Sequence, residues 1–435
     1  MGKRKRKKLK GKSKIALAEK AVQQPKKEEL VGRVVSLEND WYGSVATGLT
    51  PATMARVLND AISGNIYAQM ILFDEMLERD THLFSVLQTR KLAVVNQPFT
   101  VMPAGEDSSQ QKQAEVIQEV IENLPDFHDD LQDLLDAIGK GFSILEIEWD
   151  YRNNMLVPID LHYIPQHKFV PDKDDPYNKF RLLTKEEQVN GIELPPYKFI
   201  QHIYRAKSGM PVRGGILRVA AWMYLFKHYS IRDWMIFMEI YGIPLRIGKY
   251  DMATSKEDLE VLKNAVRNLG TDAAAVISKN TEIEIIQAFQ KGAMGHGPHE
   301  GLAKFCNEEI SKAVLGQTET ADSVPGRLGA ANEKSQVRRD LLIADVRALE
   351  KRLQSDFIKP IIDLNFGPQE KYPKIKFDIE EPEDLKALAE RDQILVNIGV
   401  PISKKYFYEK YGIPEPQKGD DIVFPMKEFN PFVKK

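Results

Sequence analysis

Residue types at spacings that serve catalysis or metal binding occur at several places in the sequence, and each fails on its surroundings. Gly11-Lys12-Ser13 resembles the end of a phosphate-binding loop. The glycine that such a loop needs five places earlier is Arg6, and no strand precedes it, so a nest of backbone N–H groups would not form. His296 and His299 have a helical ligand spacing and Glu300 adds a carboxylate, but four glycines surround them and the pair lies at or before a helix start. His299-Glu300-Gly301-Leu302-Ala303 also lacks the second histidine of a zincin helix. Cys306 precedes Asn307-Glu308-Glu309, and nearby acids raise a thiol pKa, which argues against a catalytic thiolate. No serine sits in a G-x-S-x-G elbow. The acid pairs Asp129-Asp130 and Asp174-Asp175 read as solvated turn or cap residues. The chain therefore offers no credible active site, metal site or cofactor site, and we do not expect an enzyme.

The elements that would position such residues are more legible. Thr50-Pro51 is a cap with proline at the first helical position, and residues 50–95 are helical in pattern, with Met70, Leu72, Phe73, Met76, Leu77, Leu83, Phe84 and Leu87 as the apolar set. Phe99-Thr100-Val101 begins a short strand. Helices are expected at 109–123 and 129–140. Leu145, Ile147 and Trp149 alternate with Glu146 and Glu148, which predicts a half-buried strand. Residues 155–207 read as short strands joined by Pro- and Asp-rich turns, and 31–210 as one α/β domain.

From Gly214 to Tyr241 there is no proline, and no glycine after Gly214-Gly215. Trp222, Tyr224, Phe226, Tyr229, Trp234, Phe237 and Tyr241 put apolar groups on most faces of one long helix. Such a helix is a central core element in a monomer, or packs between neighbours in an oligomer. Gly242-Ile243-Pro244 ends it. A strand at 244–248, the capping box Ser255-x-x-Asp258 opening a helix to Gly270, and strands at 273–277 and 281–289 make a small α+β unit. A second helix spans 300–315, and 316–332 reads as a loop. Leu342, Val346, Leu349, Leu353 and Phe357 then mark a long helix from about 333 to 358, with Pro360 just past its end. Residues 374–379 form a strand and 382–412 are helical, with Leu385, Leu388 and Ile394.

Composition bounds the rest. The 435 residues are 43% hydrophobic, enough for a large core without covalent staples. The single cysteine excludes an internal disulfide framework and a cysteine-based zinc site. Lys+Arg number 61 and Asp+Glu 63, but residues 1–14 hold nine of the bases and no acid. Setting them aside leaves 52 basic against 63 acidic residues, a body of net charge −11. Lys3–Lys8 is an unbroken basic run, so 1–30 is expected to be a disordered tail, with nucleic-acid contact or a nuclear address as the sharper readings. No apolar run approaches the ~18–20 residues of a membrane span, and the N-terminus lacks a secretory stretch, so a reduced, soluble protein with no membrane partner is expected.

Three blocks carry a family resemblance: Glu239-Ile240-Tyr241-Gly242-Ile243-Pro244-Leu245-Arg246-Ile247-Gly248-Lys249-Tyr250; Glu309-Ile310-x-x-Ala313-Val314-Leu315-Gly316-Gln317-Thr318-x-Thr320; and Asp345 with the helix that follows to Asp363-Leu364-Asn365-Phe366-Gly367. Over about residues 35–425 the sequence resembles the Mu-like family of phage portal proteins. The resemblance implies an α+β portal fold of wing, stem, clip and crown, assembled as a homo-oligomeric ring of about twelve subunits around a channel for double-stranded DNA. It implies packaging and ejection of the genome at the capsid vertex of a virion assembled in the bacterial host cytoplasm. The partners it implies are the terminase large subunit, the major capsid protein and head–tail connector proteins.

On this plan 31–210 is wing, 214–241 the first stem helix, 242–291 the clip, 298–315 the second stem helix, 316–332 the channel loop, 333–381 a long wing helix and strand, and 382–435 the crown. Trp222, Phe226, Trp234, Phe237 and Tyr241 would pack subunits, and Glu257, Glu260 and Lys263 would dock the terminase. Gln317, Thr318, Glu319, Thr320, Asp322 and Arg327 would line the channel. A body of negative charge suits a pore through which DNA slides. The competing classes are a packaging enzyme, which needs a phosphate loop or a magnesium-binding carboxylate cluster, and a nuclear nucleic-acid-binding protein, suggested only by the tail.

Overall fold

The computed structural model describes residues 25–35, 43–242, 246–250, 255–268, 274–278, 297–318, 328–379 and 385–416. The chain divides into two units, Met1–Asp378 and Ile379–Lys435. The larger unit opens with a single turn, α1 (Lys27–Leu30), and three helices, α2 (Pro51–Ile62), α3 (Tyr67–Arg79) and α4 (Thr81–Val95). The expected cap at Thr50 is present. Its hydroxyl accepts from Thr53 N at 3.2 Å, and Thr53 Oγ1 accepts from Thr50 N at 2.7 Å. Asp80 starts α4 by accepting from His82 N and Leu83 N at 3.1 and 3.0 Å. Met70, Leu72, Phe73, Met76, Leu83 and Leu87 are buried as expected, whereas Phe84 is 54% exposed.

β1 (Phe99–Met102) pairs antiparallel with Lys374–Phe377 at the far end of the unit, so two strands read separately in the sequence are partners. α5 (Ser108–Asn123) follows. The single helix expected over 129–140 is instead α6 (Phe127–Leu134) and α7 (Ala137–Lys140). The break turns Asp136 inward, where its carboxylate accepts from Lys91 and lies 2.8 Å from Lys140. Burial opposes ionisation of Asp136, but these two ammonium groups outweigh it and hold the carboxyl below the usual range.

The reading of Asp129-Asp130 as solvated holds for Asp129 and is corrected for Asp130. Asp126 caps α6, which advances the helix start and turns Asp130 into the protein, where it is 9% exposed. Burial pushes its carboxyl up to about 8, and Asp160, Asp133, Asp126 and Asp129 push the same way.

β2 (Phe142–Arg152) and β3 (Met155–Ile164) form a hairpin. Its two-residue turn, Asn153-Asn154, has φ of 49° and 63°, the left-handed geometry that matches strand twist. β4 (Phe169–Pro171), β5 (Phe180–Leu182) and β6 (Ile192–Glu193) make a small antiparallel sheet, and β7 (Phe199–Ile203) completes the order β3-β2-β7. Both faces of β2 are buried from Phe142 to Ile147, and the half-buried alternation expected of it is corrected. Glu146 is fully buried, accepting from Arg33 Nε and Val35 N at 3.4 Å and from Val34 N.

The proline-free segment is one helix, α8 (Ile216–Gly242). β8 (Arg246–Tyr250), α9 (Lys256–Asn268) and β9 (Ala274–Ser278) follow, with β8 and β9 parallel. Ser255 Oγ accepts from Asp258 N at 3.1 Å, which is the expected cap. The strand expected at 281–289 lies outside the described residues. α10 (Pro298–Leu315) is succeeded by α11 (Leu328–Leu353), so residues 328–332 are helical where a loop is expected.

The helix also does not stop before Pro360. A π turn at Gln354–Ile358 leads directly into α12 (Lys359–Phe366). Pro360 lacks the N–H that would bond Asp356, and its ring crowds that carbonyl. The widened turn provides the room. β10 (Lys374–Phe377) is the partner of β1.

In the smaller unit the helical stretch is split into α13 (Leu385–Asn397) and α14 (Lys404–Tyr411). Gly399, at φ 90°, and Pro401 interrupt it. Asp392, 1% exposed, accepts from Tyr411 Oη at 2.9 Å and Arg391 Nη2 at 3.2 Å, while Ile394 is 61% exposed.

The raised carboxyl of Asp130 binds a proton in the folded chain that the unfolded chain releases near pH 4, so stability falls as pH rises from there through about 8. Asp130→Asn is expected to leave the melting temperature unchanged near pH 4. At pH 8.5 it should raise stability by about 1–2 kcal/mol, less than full linkage because the site is partly solvated. Thermal melts of both forms across that range test this.

Candidate functional site: an exposed helix face and its anchor

α8 has two different halves. Ile216, Leu217, Ala220, Ala221, Tyr224 and Leu225 are all buried. Beyond Ser230 the same apolar composition continues, yet Ile231, Met235, Ile236, Phe237 and Met238 are 36–57% exposed. Reading α8 as a core helix of a monomer is correct for its first half only. Contiguous apolar exposure of this kind marks an interaction surface.

α10 packs antiparallel along α8. Ser230 Oγ donates to His299 O at 2.9 Å, and the Phe237 and His299 rings lie 6.2 Å apart. Cys306, fully buried, lies further along α10, near the Lys227 end of the pair. Lys227 crosses to the Asp80 cap at 2.7 Å, which ties α8 to the α3–α4 corner. Burial pushes the Cys306 thiol up, Lys227 opposes, and Asp80 and Glu309 add to the rise, so it is no ready nucleophile.

The C-terminus of α10 is held by one guanidinium. Arg90 of α4 donates from Nη1 to Val314 O at 2.7 Å, a carbonyl that the helix itself leaves unpaired. Its Nε and Nη2 reach Asp345 of α11 at 2.8 and 3.0 Å, and Nη2 also reaches Tyr204 Oη at 2.8 Å. Burial alone would favour the neutral form of Arg90, but the Asp345 carboxylate prevails and raises its pKa. Gly316, at φ 69°, then ends α10 with its N–H on Lys312 O.

Of the residues expected to pack subunits, Trp222 and Trp234 are half-buried, Phe226 and Phe237 are exposed, and the side chain of Tyr241 lies outside the described residues. Glu257 and Glu260 on α9 are exposed, and Lys263 pairs with Glu260 at 2.8 Å. Gln317 is half-buried and Thr318 exposed directly after α10. Glu319, Thr320, Asp322 and Arg327 lie outside the described residues, as do Gly11-Lys12-Ser13 and His296. The structure brings Gln317 and Thr318 to the end of the helix that Arg90 anchors, but not to α9. The sequence reading missed Arg90 and Tyr204. The available signal was a charge at position 90 in line with Val86, Leu87 and Val94, all buried.

A family described as "Portal protein of Mu bacteriophage" matches residues 70–413. The chain belongs to the Mu portal protein family. It is 34% identical over 395 residues to the "Portal protein" of Escherichia phage Mu, covering 89% of this chain and 75% of that one. It is 32% identical over 404 residues to the "Mu-like prophage FluMu protein gp29" of Haemophilus influenzae, covering 91% and 76%. Among solved structures, a chain of the virion of a native gene transfer agent particle is 12% identical with a TM-score of 0.46, covering 84% of this chain and 95% of that one. An HK97 family phage portal protein from Corynebacterium diphtheriae is 14% identical with a TM-score of 0.38, covering 73% and 97%. Family membership makes this a portal protein of a phage or prophage, and favours neither the packaging enzyme nor the nuclear protein.

In this portal protein the Arg90 anchor is open to direct test. Arg90→Ala leaves Asp345 and Val314 O buried and unpaired, and is expected to cost about 3–5 kcal/mol. The double change R90M/D345L should recover most of that loss. Denaturant melts of the three chains measure both effects.

Proposed function

We propose that this portal protein forms a closed homo-oligomeric ring of about twelve subunits at one vertex of the capsid, with α8 and α10 as the stem that packs subunit against subunit around the DNA channel. The single observation that carries this is the exposed apolar half of α8. A charged surface there would serve an isolated chain better, and a neighbouring copy of α8 and α10 is the occupant that cyclic symmetry supplies. The segment after α10, with Gln317 and Thr318 leading to Glu319, Thr320, Asp322 and Arg327, is the channel lining in this reading. Arg327 makes the phosphate contact and the acids keep it weak. Residues 382–435 are the crown and 31–210 the wing, which meets the major capsid protein. The ring is structural, works without a cofactor, and is assembled in the host cytoplasm before it becomes part of the virion.

Met235→Glu with Met238→Glu places two charges per protomer where subunits would meet. Light scattering should then report a particle near the 49.6 kDa chain mass instead of a ring. A ring of unchanged size in the double variant would remove α8 from the interface.

The β8–α9–β9 unit is the clip, which docks the terminase large subunit and later the head–tail connector. Its support is local folding, from the Ser255 cap and the parallel strand pair, together with the exposed acids Glu257 and Glu260. Glu257→Lys with Glu260→Lys should leave rings intact in electron micrographs while lowering the yield of DNA-filled heads at least tenfold. Normal packaging by those rings would place the docking surface elsewhere.

A further inference from the structure

On the β2–β3 hairpin, away from the stem, three side chains of metal-ligating type converge. Glu148 and Asp160 are direct cross-strand partners, and His162 lies two residues along β3 on the same face as Asp160. The register shifts next to Glu148, where Trp149 pairs with Pro158, so a bulge precedes Asp160 and re-aims it. His162 Nε2 lies 2.6 Å from Glu148 Oε2 and 3.7 Å from Asp160 Oδ2, and one ligand atom from each residue falls within 4.8 Å of the others. Ligands at ~2.0–2.2 Å from a shared metal are about 3–4 Å apart, so small side-chain rotations suffice.

A cross-strand hydrogen bond between His162 and Glu148 explains two of these groups and not the third. Asp160 Oδ1 accepts from its neighbour Leu161 N at 2.8 Å, which fixes the carboxylate and leaves Oδ2 turned to the imidazole beyond hydrogen-bond reach. Asp130, 9% exposed, is an electrostatic neighbour of Asp160, and its Oδ2 is buried without a hydrogen-bond partner. The ammonium of Lys198, which senses Glu148, is committed to carbonyl groups, Leu30 O at 2.7 Å and Ile147 O at 3.3 Å.

We propose that Glu148, Asp160 and His162 form a binding site for one divalent first-row transition cation per protomer. One imidazole with two carboxylates selects zinc-like ions over magnesium or calcium, which prefer oxygen alone. Two carboxylates balance the charge of the ion, and the side-chain exposures of 22–38% leave its remaining positions to water. The site clamps the two strands of the hairpin together and is structural.

The test is calorimetric titration of Zn2+ into the chelator-treated full-length chain, with Co2+ absorption as a second readout. One Zn2+ per protomer is expected, with affinity lowered at least tenfold in Glu148→Gln and His162→Gln and unchanged in His299→Gln. Co2+ absorption should be lost in His162→Gln while its metal-free melt stays close to that of the parent. Absence of Zn2+ binding by the parent chain overturns the proposal. So does binding that survives His162→Gln, which would put the ion on other histidines.

Discussion

Arg90 brings a permanent charge into a place nearly closed to water. Its five donors must therefore be answered by protein groups, and those groups come from distant parts of the chain. Asp345 answers two with a planar fork, Val314 O a third, and Tyr204 Oη shares one of the nitrogens. A lysine would offer charge without the fork geometry. The consequence is structural: α4, the last turn of α10, α11 and the segment after β7 are fixed relative to one another by one side chain. Apolar packing among Val346, Leu349, Leu353 and Phe357 is strong but non-directional, and does not alone set the axial position of α11.

The same solution recurs elsewhere in the larger unit. Lys140 is 2% exposed and meets Asp136, Asp74, Tyr163 and Gln166, while Lys91 shares Asp136. Asn365 exchanges two hydrogen bonds of 2.8 Å with the Leu156 backbone, as a neighbouring strand would, and so docks α12 on the edge of β3. Asp363 accepts from Tyr197 and Tyr372 at 3.1 and 2.7 Å. Each contact satisfies a group that would be costly to bury alone, and each is directional. The helices are thereby held in register with the sheet by polar contacts, with the apolar core supplying most of the cohesion.

What was legible in the sequence follows from which of these forces is local. Helix caps at Thr50 and Ser255, the stop at Gly316 and the proline-free run of α8 depend on neighbours in the chain, and all were readable. The burial of Glu146 was not, because alternation along β2 looks the same whether one face or both are covered, and the segment at 33–35 that covers Glu146 is more than a hundred residues away in the chain. Asp130 was misread for a related reason: the phase of α6 is set by Asp126, three residues before the helix was expected to begin. The passage through Pro360 depends on a π turn that leaves no mark in the spacing of Leu349, Leu353 and Phe357. The exposed surface of α8 was half legible. Its apolar content is plain in the sequence, but which half of α8 is covered depends on where α3, α7 and α10 pack. The family blocks identify the protein and do not report this division.

The division within α8 has a mechanical consequence. Twenty-seven residues of uninterrupted helix make a rod of about 40 Å. One end of that rod is set in the core by Leu217, Ala221 and Leu225, and by Lys227 on the Asp80 cap. The other end presents Met235, Ile236 and Met238 to whatever packs against it. Bending of the exposed end would spread those side chains over many positions, and an interface made with them would bear that entropy. α10 restrains the bending through Ser230 and Phe237, and α10 is itself held at its far end by Arg90. The exposed surface is thus preorganised by a buried ion pair at the opposite end of a neighbouring helix. Weakening that pair need not alter a single exposed side chain to disturb how that surface is presented.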